Sequence, residues 1–154
     1  MNTRLTAVKG LGEVAIRVND LEAMQRFYEE VIGLQVMKRF PTAVFFRISN
    51  GYGGHPQALV LFDRSVESNR PQIHRSTPRG VSEERSTLDH VALEIDLSAY
   101  ESEKQRLEEL GLPVETVVFE WVGWRSLYVH DPEGNTVELV CFDPSVLNDE
   151  LSGE

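Results

Sequence analysis

Glu138 is a charged residue inside the most apolar strand-like run of the chain, Thr136-Val-Glu-Leu-Val-Cys-Phe142. On an alternating strand it shares a face with Val140 and Phe142, because residues two apart point the same way. A carboxylate so placed is costly unless it is paired, hydrogen-bonded or bound to a metal. His90 opens a second such run, His90-Val-Ala-Leu-Glu-Ile95, and Glu13 opens a third, Glu13-Val-Ala-Ile-Arg-Val18. Two carboxylates and an imidazole, if they converge, form a metal-ligand set with positions left open for a substrate. Taken singly, each has an ordinary reading. A histidine at a strand start is usually a surface or satisfied core residue, and a lone glutamate usually sits on a rim.

What joins the three is a repeat. Glu13-Val14-Ala15 and His90-Val91-Ala92 lie 77 positions apart, and Gly33-Leu34-x-Val36 and Gly111-Leu112-x-Val114 lie 78 apart. Each copy reads strand, helix, then three strands. In the first, Asn19 and Asp20 offer N-caps, with Glu22 placed as in a capping box. Leu21, Met24, Phe27, Tyr28, Val31 and Ile32 then make one apolar helix face, which Gly33 stops. Strands are predicted near Leu34–Arg39, Ala43–Ile48 and Ala58–Phe62, with a glycine-rich turn at 51–54. In the second copy Ser98 and Glu101 form a capping-box pair, and the helix ends at Gly111. Strands follow near Val114–Phe119, Trp124–Val129 and Thr136–Phe142, with a turn over Asp131–Asn135. One helix for every four strands excludes a doubly wound parallel sheet. The expectation is an α+β fold of two βαβββ modules, about 9–63 and 88–143, whose half-open sheets close around a shared cleft. A pseudo-twofold axis would make Glu13 and His90 mates facing that cleft.

Between the modules, 64–87 reads as a polar linker with five arginines and His74. The tail 144–154 is polar and acidic and is expected to fray. The 154 residues fit one domain, 9–143, and a formal charge of −10 with a pI near 4.9 makes the chain a poor binder of nucleic acid or anionic membranes. No apolar run reaches membrane-spanning length. The first residues carry no hydrophobic signal, and the single cysteine, Cys141, excludes an intrachain disulfide; both point to the cytoplasm. Cys141 should turn to the helix side of its strand. Trp121, Trp124 and Phe46 are expected in the core, and His130 in solvent.

His90-Val-Ala-Leu taken with Leu127-Tyr-Val-His-Asp-Pro-Glu-Gly-Asn-Thr-Val-Glu138 resembles the vicinal oxygen chelate superfamily, which includes glyoxalase I, extradiol dioxygenases, epimerases and bleomycin-resistance proteins. Val14-Ala-Ile-Arg-Val-Asn-Asp-Leu-Glu and Phe27-Tyr-x4-Gly33-Leu34 carry the likeness into the first half. The resemblance implies a glyoxalase/dioxygenase-type half-barrel cleft with metal ligands at Glu13, His90 and Glu138. The family's fourth ligand slot falls on Ala58 or Val60, neither of which can bind an ion. Fe²⁺ or Mn²⁺ is the favoured ion, with Zn²⁺, Ni²⁺ and Mg²⁺ also compatible. Tyr128 stands where extradiol dioxygenases have an active-site tyrosine. The histidine expected just upstream of it is missing, and His55 or Gln57 lies near the place of the acid–base histidine. The resemblance thus implies a small-molecule substrate, a homodimer, and extradiol-type ring cleavage. Glyoxalase-like isomerase, lyase or epimerase chemistry is the first alternative, and non-catalytic drug binding the second.

Overall fold

Val14, Ile16 and Val18 alternate with Glu13, Ala15 and Arg17, and the period of two makes β1 over Glu13–Val18. The computed structural model describes residues 10–65, 88, 90–148 and 150. Most of the polar linker, with His74, lies outside the described residues, as does the end of the tail. The chain divides into two compact units, Met1–Pro71 and Gln72–Glu154.

In the first unit β1 leads into α1 (Leu21–Arg26), then β2 (Gln35–Phe40), β3 (Ala43–Ser49) and β4 (Gln57–Asp63). The sheet runs β1-β4-β3-β2, with β1 parallel to β4 and the other pairs antiparallel. Of the two candidate caps, Asp20 holds the helix: its side chain accepts from the Ala23 amide at 3.0 Å. Glu22 does not complete a capping box; its carboxylate pairs with Arg39 at 2.6 Å. The helix also does not run evenly to Gly33. It widens into a π-type turn over Phe27–Val31. Leu21, Met24, Phe27 and Tyr28 are buried, and they share the core with Val44, Phe46, Leu59 and Leu61. Tyr28 meets Phe27 edge-on at 5.2 Å between ring centres.

The second unit repeats the plan: β5 (His90–Glu94), α2 (Tyr100–Glu109), β6 (Glu115–Phe119), β7 (Trp124–His130) and β8 (Thr136–Phe142), in the order β5-β8-β7-β6. The Ser98–Glu101 capping box is not formed. Leu97–Ala99 is a 3₁₀ turn that absorbs Ser98, so α2 begins at Tyr100 without a side-chain cap. Gly111 ends it at φ +80°, a left-handed conformation that glycine adopts without strain. Val91, Leu93, Leu127, Val129, Val137, Leu139 and Cys141 are buried on one face of the sheet, and α2 adds Tyr100 and Leu107. Cys141 thus turns to the helix side, as expected, and its Sγ donates to the Arg125 carbonyl at 3.8 Å. The start of the tail does not fray. Pro144–Val146 forms a 3₁₀ turn, and the Asn148 amide donates to the Glu120 carbonyl at 2.7 Å.

Both units therefore have the expected βαβββ order, two four-stranded sheets with helices, an α+β fold. The strand registers make the repeat close enough to align residue by residue. Ala15 faces Val60 across β1 and β4, as Ala92 faces Glu138 across β5 and β8. Val60, not Ala58, is the first unit's counterpart of Glu138.

Candidate functional site

β8 is flanked by β5 on one side and β7 on the other, so Glu138 projects from the middle of the sheet. Its row across the sheet reads Glu115, Tyr128, Glu138, Ala92. This is the face turned away from the apolar core of the unit, yet Glu138 is only 5% exposed. The cost of burying its carboxylate is met by three neighbours. Ser126 Oγ donates to Oε1 at 2.5 Å, and the Tyr128 hydroxyl donates to the same oxygen at 3.1 Å. His90 Nε2 lies 3.0 Å from the other oxygen, Oε2. The Tyr128 ring meets the His90 ring nearly edge-on, with centres 6.3 Å apart.

The carboxylate is thus divided by role. Oε1 is occupied by two hydroxyl donors from β7, and Oε2 is presented to the imidazole at the start of β5. His90 and Glu138 come together, and Tyr128 joins them. Glu13 opens β1 of the first unit and is exposed. His55 lies just before β4, exposed, with Nδ1 2.6 Å from the Pro56 carbonyl. Gln57 accepts from Ser49 Oγ at 2.9 Å. Among the described residues, no three His, Cys, Asp or Glu side chains form a group that could hold an ion. His130 is exposed, and Phe46 is buried. Trp121 and Trp124 are 53% and 42% exposed, so the expected core placement fails for both. They sit at the β6–β7 hairpin with ring centres 6.4 Å apart.

Ser126 is the residue that sequence reasoning missed. A small hydroxyl in a strand has no signature of its own. At the repeat's own spacing of 77–78 positions Ser126 falls opposite Ile48 or Ser49; only the strand registers set Ser126 and Tyr128 against Ala43 and Phe45, 83 positions earlier.

The donor chemistry at His90 and Glu138 fits a divalent ion. Two ligand atoms bound at about 2.1 Å and about a right angle apart would lie roughly 3.0 Å from each other. The Nε2–Oε2 separation matches that edge. The hydroxyls on Oε1 are the sort of partner that orients a ligating carboxylate.

A family model for the glyoxalase/bleomycin resistance protein/dioxygenase superfamily matches residues 10–139. The chain belongs to this superfamily. Among solved structures, superfamily likeness extends to a lactoylglutathione lyase from Agrobacterium tumefaciens, 30% identical, with a TM-score of 0.66 over 88% of this chain and 95% of that one. An integron cassette protein from the mobile metagenome of a Halifax Harbour sewage outfall is 25% identical, with a TM-score of 0.62 over 88% and 100% of the two chains. A mutant form of a fosfomycin resistance protein, FosX, from Listeria monocytogenes shares the fold at 18% identity and a TM-score of 0.61 over 90% and 94%. That mutant was solved in complex with Mn(II) and dihydroxypropylphosphonic acid.

Proposed function

We propose that this chain is a divalent-metal-dependent enzyme that holds a small substrate by two neighbouring oxygens, and that its reaction is extradiol-type cleavage of a catechol-like ring. The observation that carries this reading is the His90–Glu138 pair with Tyr128 against both. His90 and Glu138 would hold the ion, Fe²⁺ or Mn²⁺ by preference; Glu13, which belongs to no three-residue group among the described residues, is proposed as the third donor on the family resemblance alone. A bound ion supplies Lewis-acid charge to two substrate oxygens. The remaining work falls to side chains. Tyr128 touches the carboxylate and the imidazole together, so it sets the orientation of both. His55 is the proposed acid–base group, its exposed ring available for proton exchange. A homodimer is the proposed assembly and the cytoplasm the proposed location.

The test is anaerobic loading of the purified chain with Fe²⁺ or Mn²⁺, then oxygen uptake with substituted catechols and the absorbance of a ring-opened product. His90→Ala should abolish both metal retention and turnover. Metal retention with no turnover of any catechol would overturn the ring-cleavage assignment. A second reading, a glyoxalase-like lyase or isomerase, is favoured by the likeness to the Agrobacterium lyase. Turnover of a glutathione hemithioacetal without oxygen uptake would select it. Failure of the chain to retain any divalent ion would overturn both.

A further inference from the structure

The two units present the same scaffold with two different side-chain sets. Through the strand registers, Val60 stands where Glu138 stands, Phe45 where Tyr128 stands, and Ala43 where Ser126 stands. The differences are chemically uniform. Where the carboxylate is absent, both hydroxyls are absent as well. Phenylalanine is tyrosine without its oxygen, and alanine is serine without its oxygen. Packing does not account for this, because Ser126 and Ala43 are both buried on equivalent strands, 0% and 5% exposed. A buried serine hydroxyl needs a hydrogen-bond partner, and that of Ser126 donates to Glu138 Oε1 at 2.5 Å.

Building on the metal-holding reading above, we infer that Ser126 and Tyr128 are positioning residues that lock Oε1 of Glu138 and thereby aim Oε2 at the ion held with His90. A carboxylate on a freely turning χ3 would offer either oxygen. Two donors on one oxygen remove that freedom before any ion arrives, so little ordering of the ligand is left to binding. Neither residue need touch the ion. Ser126 acts wholly through Glu138.

The test uses the full-length chain, with Mn²⁺ alone as the probe. Titration followed by the electron paramagnetic resonance of free Mn²⁺ gives the dissociation constant without reference to turnover. Ser126→Ala should weaken Mn²⁺ binding by about 10–100-fold, the usual cost of losing a partner of a ligating group. Tyr128→Phe should weaken it in the same direction, and Ser126→Thr, which keeps the hydroxyl, should restore most of the loss. The melting temperature of the metal-free Ser126→Ala protein separates aiming from folding: a merely structural serine would lower it and leave the affinity of the folded fraction unchanged. Crystal structures of the metal-free wild type and Ser126→Ala give a second, metal-independent readout. The inference requires Oε2 to stay beside His90 Nε2 in the first and to turn away in the second. Should Ser126→Ala not fold, the same two measurements on Tyr128→Phe decide. Mn²⁺ affinity within about twofold of wild type, less than the loss expected for a partner of a ligating group, or an unmoved Glu138 carboxylate, overturns the inference. A wild type that binds no Mn²⁺ overturns the metal-holding reading instead, and the position of the Glu138 carboxylate in the two crystal structures then decides the inference alone.

Discussion

Asp143 shows how one residue can tie stability to pH. Its Oδ1 accepts from the Ser145 amide at 2.9 Å and the Ser145 hydroxyl at 2.6 Å, and its Oδ2 accepts from Arg125 Nε at 2.6 Å. The Ser145 hydroxyl first, then the Ser145 amide and Arg125, hold its carboxyl below the ordinary value of 3.8. Asp63 in the first unit makes the same pair of bonds to Ser65, and its carboxyl is lowered for the same leading reason. A carboxyl lowered on folding contributes stability that is fully present above its unfolded value. That contribution is lost as pH falls from about 4 through the folded value. Asp143→Asn should therefore lower the neutral plateau of a stability–pH curve measured by urea unfolding and approach wild type at acid pH, which flattens the acid limb. An unchanged acid limb would show that other carboxyls carry it. At Glu13, substitution by Gln separates two roles. Lost metal affinity marks a ligand, whereas full metal content with collapsed turnover marks a base. Mn²⁺ titration beside a turnover assay reads both.

Single elements carry their own predictions. α2 buries Tyr100 and Leu107, and Leu107 is wholly buried. Leu107→Ala should cost about 2–5 kcal/mol, read as a lowered denaturant midpoint. In the turn before β4, a Cβ on Gly51 would come within 2.0 Å of the His55 carbonyl oxygen. Gly51→Ala should displace the backbone that seats His55, visible as shifted His55 NMR resonances with most of the sheet unchanged. Elements were the most legible feature of the sequence. β1 and β8 fall where alternation placed them, because a period of two is a local signal. Helix starts were harder: Ser98 and Glu101 spell a capping box, but a 3₁₀ turn takes up the serine. Glu138 stood out because a charge in an apolar strand is conspicuous. Ser126 did not, since its partner lies 12 residues away and only the β7–β8 register brings them together. The exposed Trp121 and Trp124 escaped for the same reason: burial is a property of the assembled sheet.

For the molecule as a whole, a charge of −10 adds a general attraction for cations to any specific site. Stabilisation of the native state by Mn²⁺ separates the two. At about 100 times its dissociation constant, an ion that binds only the folded chain adds roughly 2.7 kcal/mol. The melting temperature should rise with Mn²⁺ in the wild type and stay nearly flat in Glu138→Gln at equal ionic strength. Equal rises in both would identify the effect as diffuse counter-ion binding. Among the described residues no helix is long and apolar enough to cross a membrane. The chain's one sulfhydryl adds a different kind of information. Cys141 is buried in β8, and burial pushes its thiol up, so it is doubly slow to react with an alkylating reagent while its sheet is closed. The first unit has no such group. Alkylation of the native protein is therefore a clock that ticks as the second sheet opens and exposes its thiol.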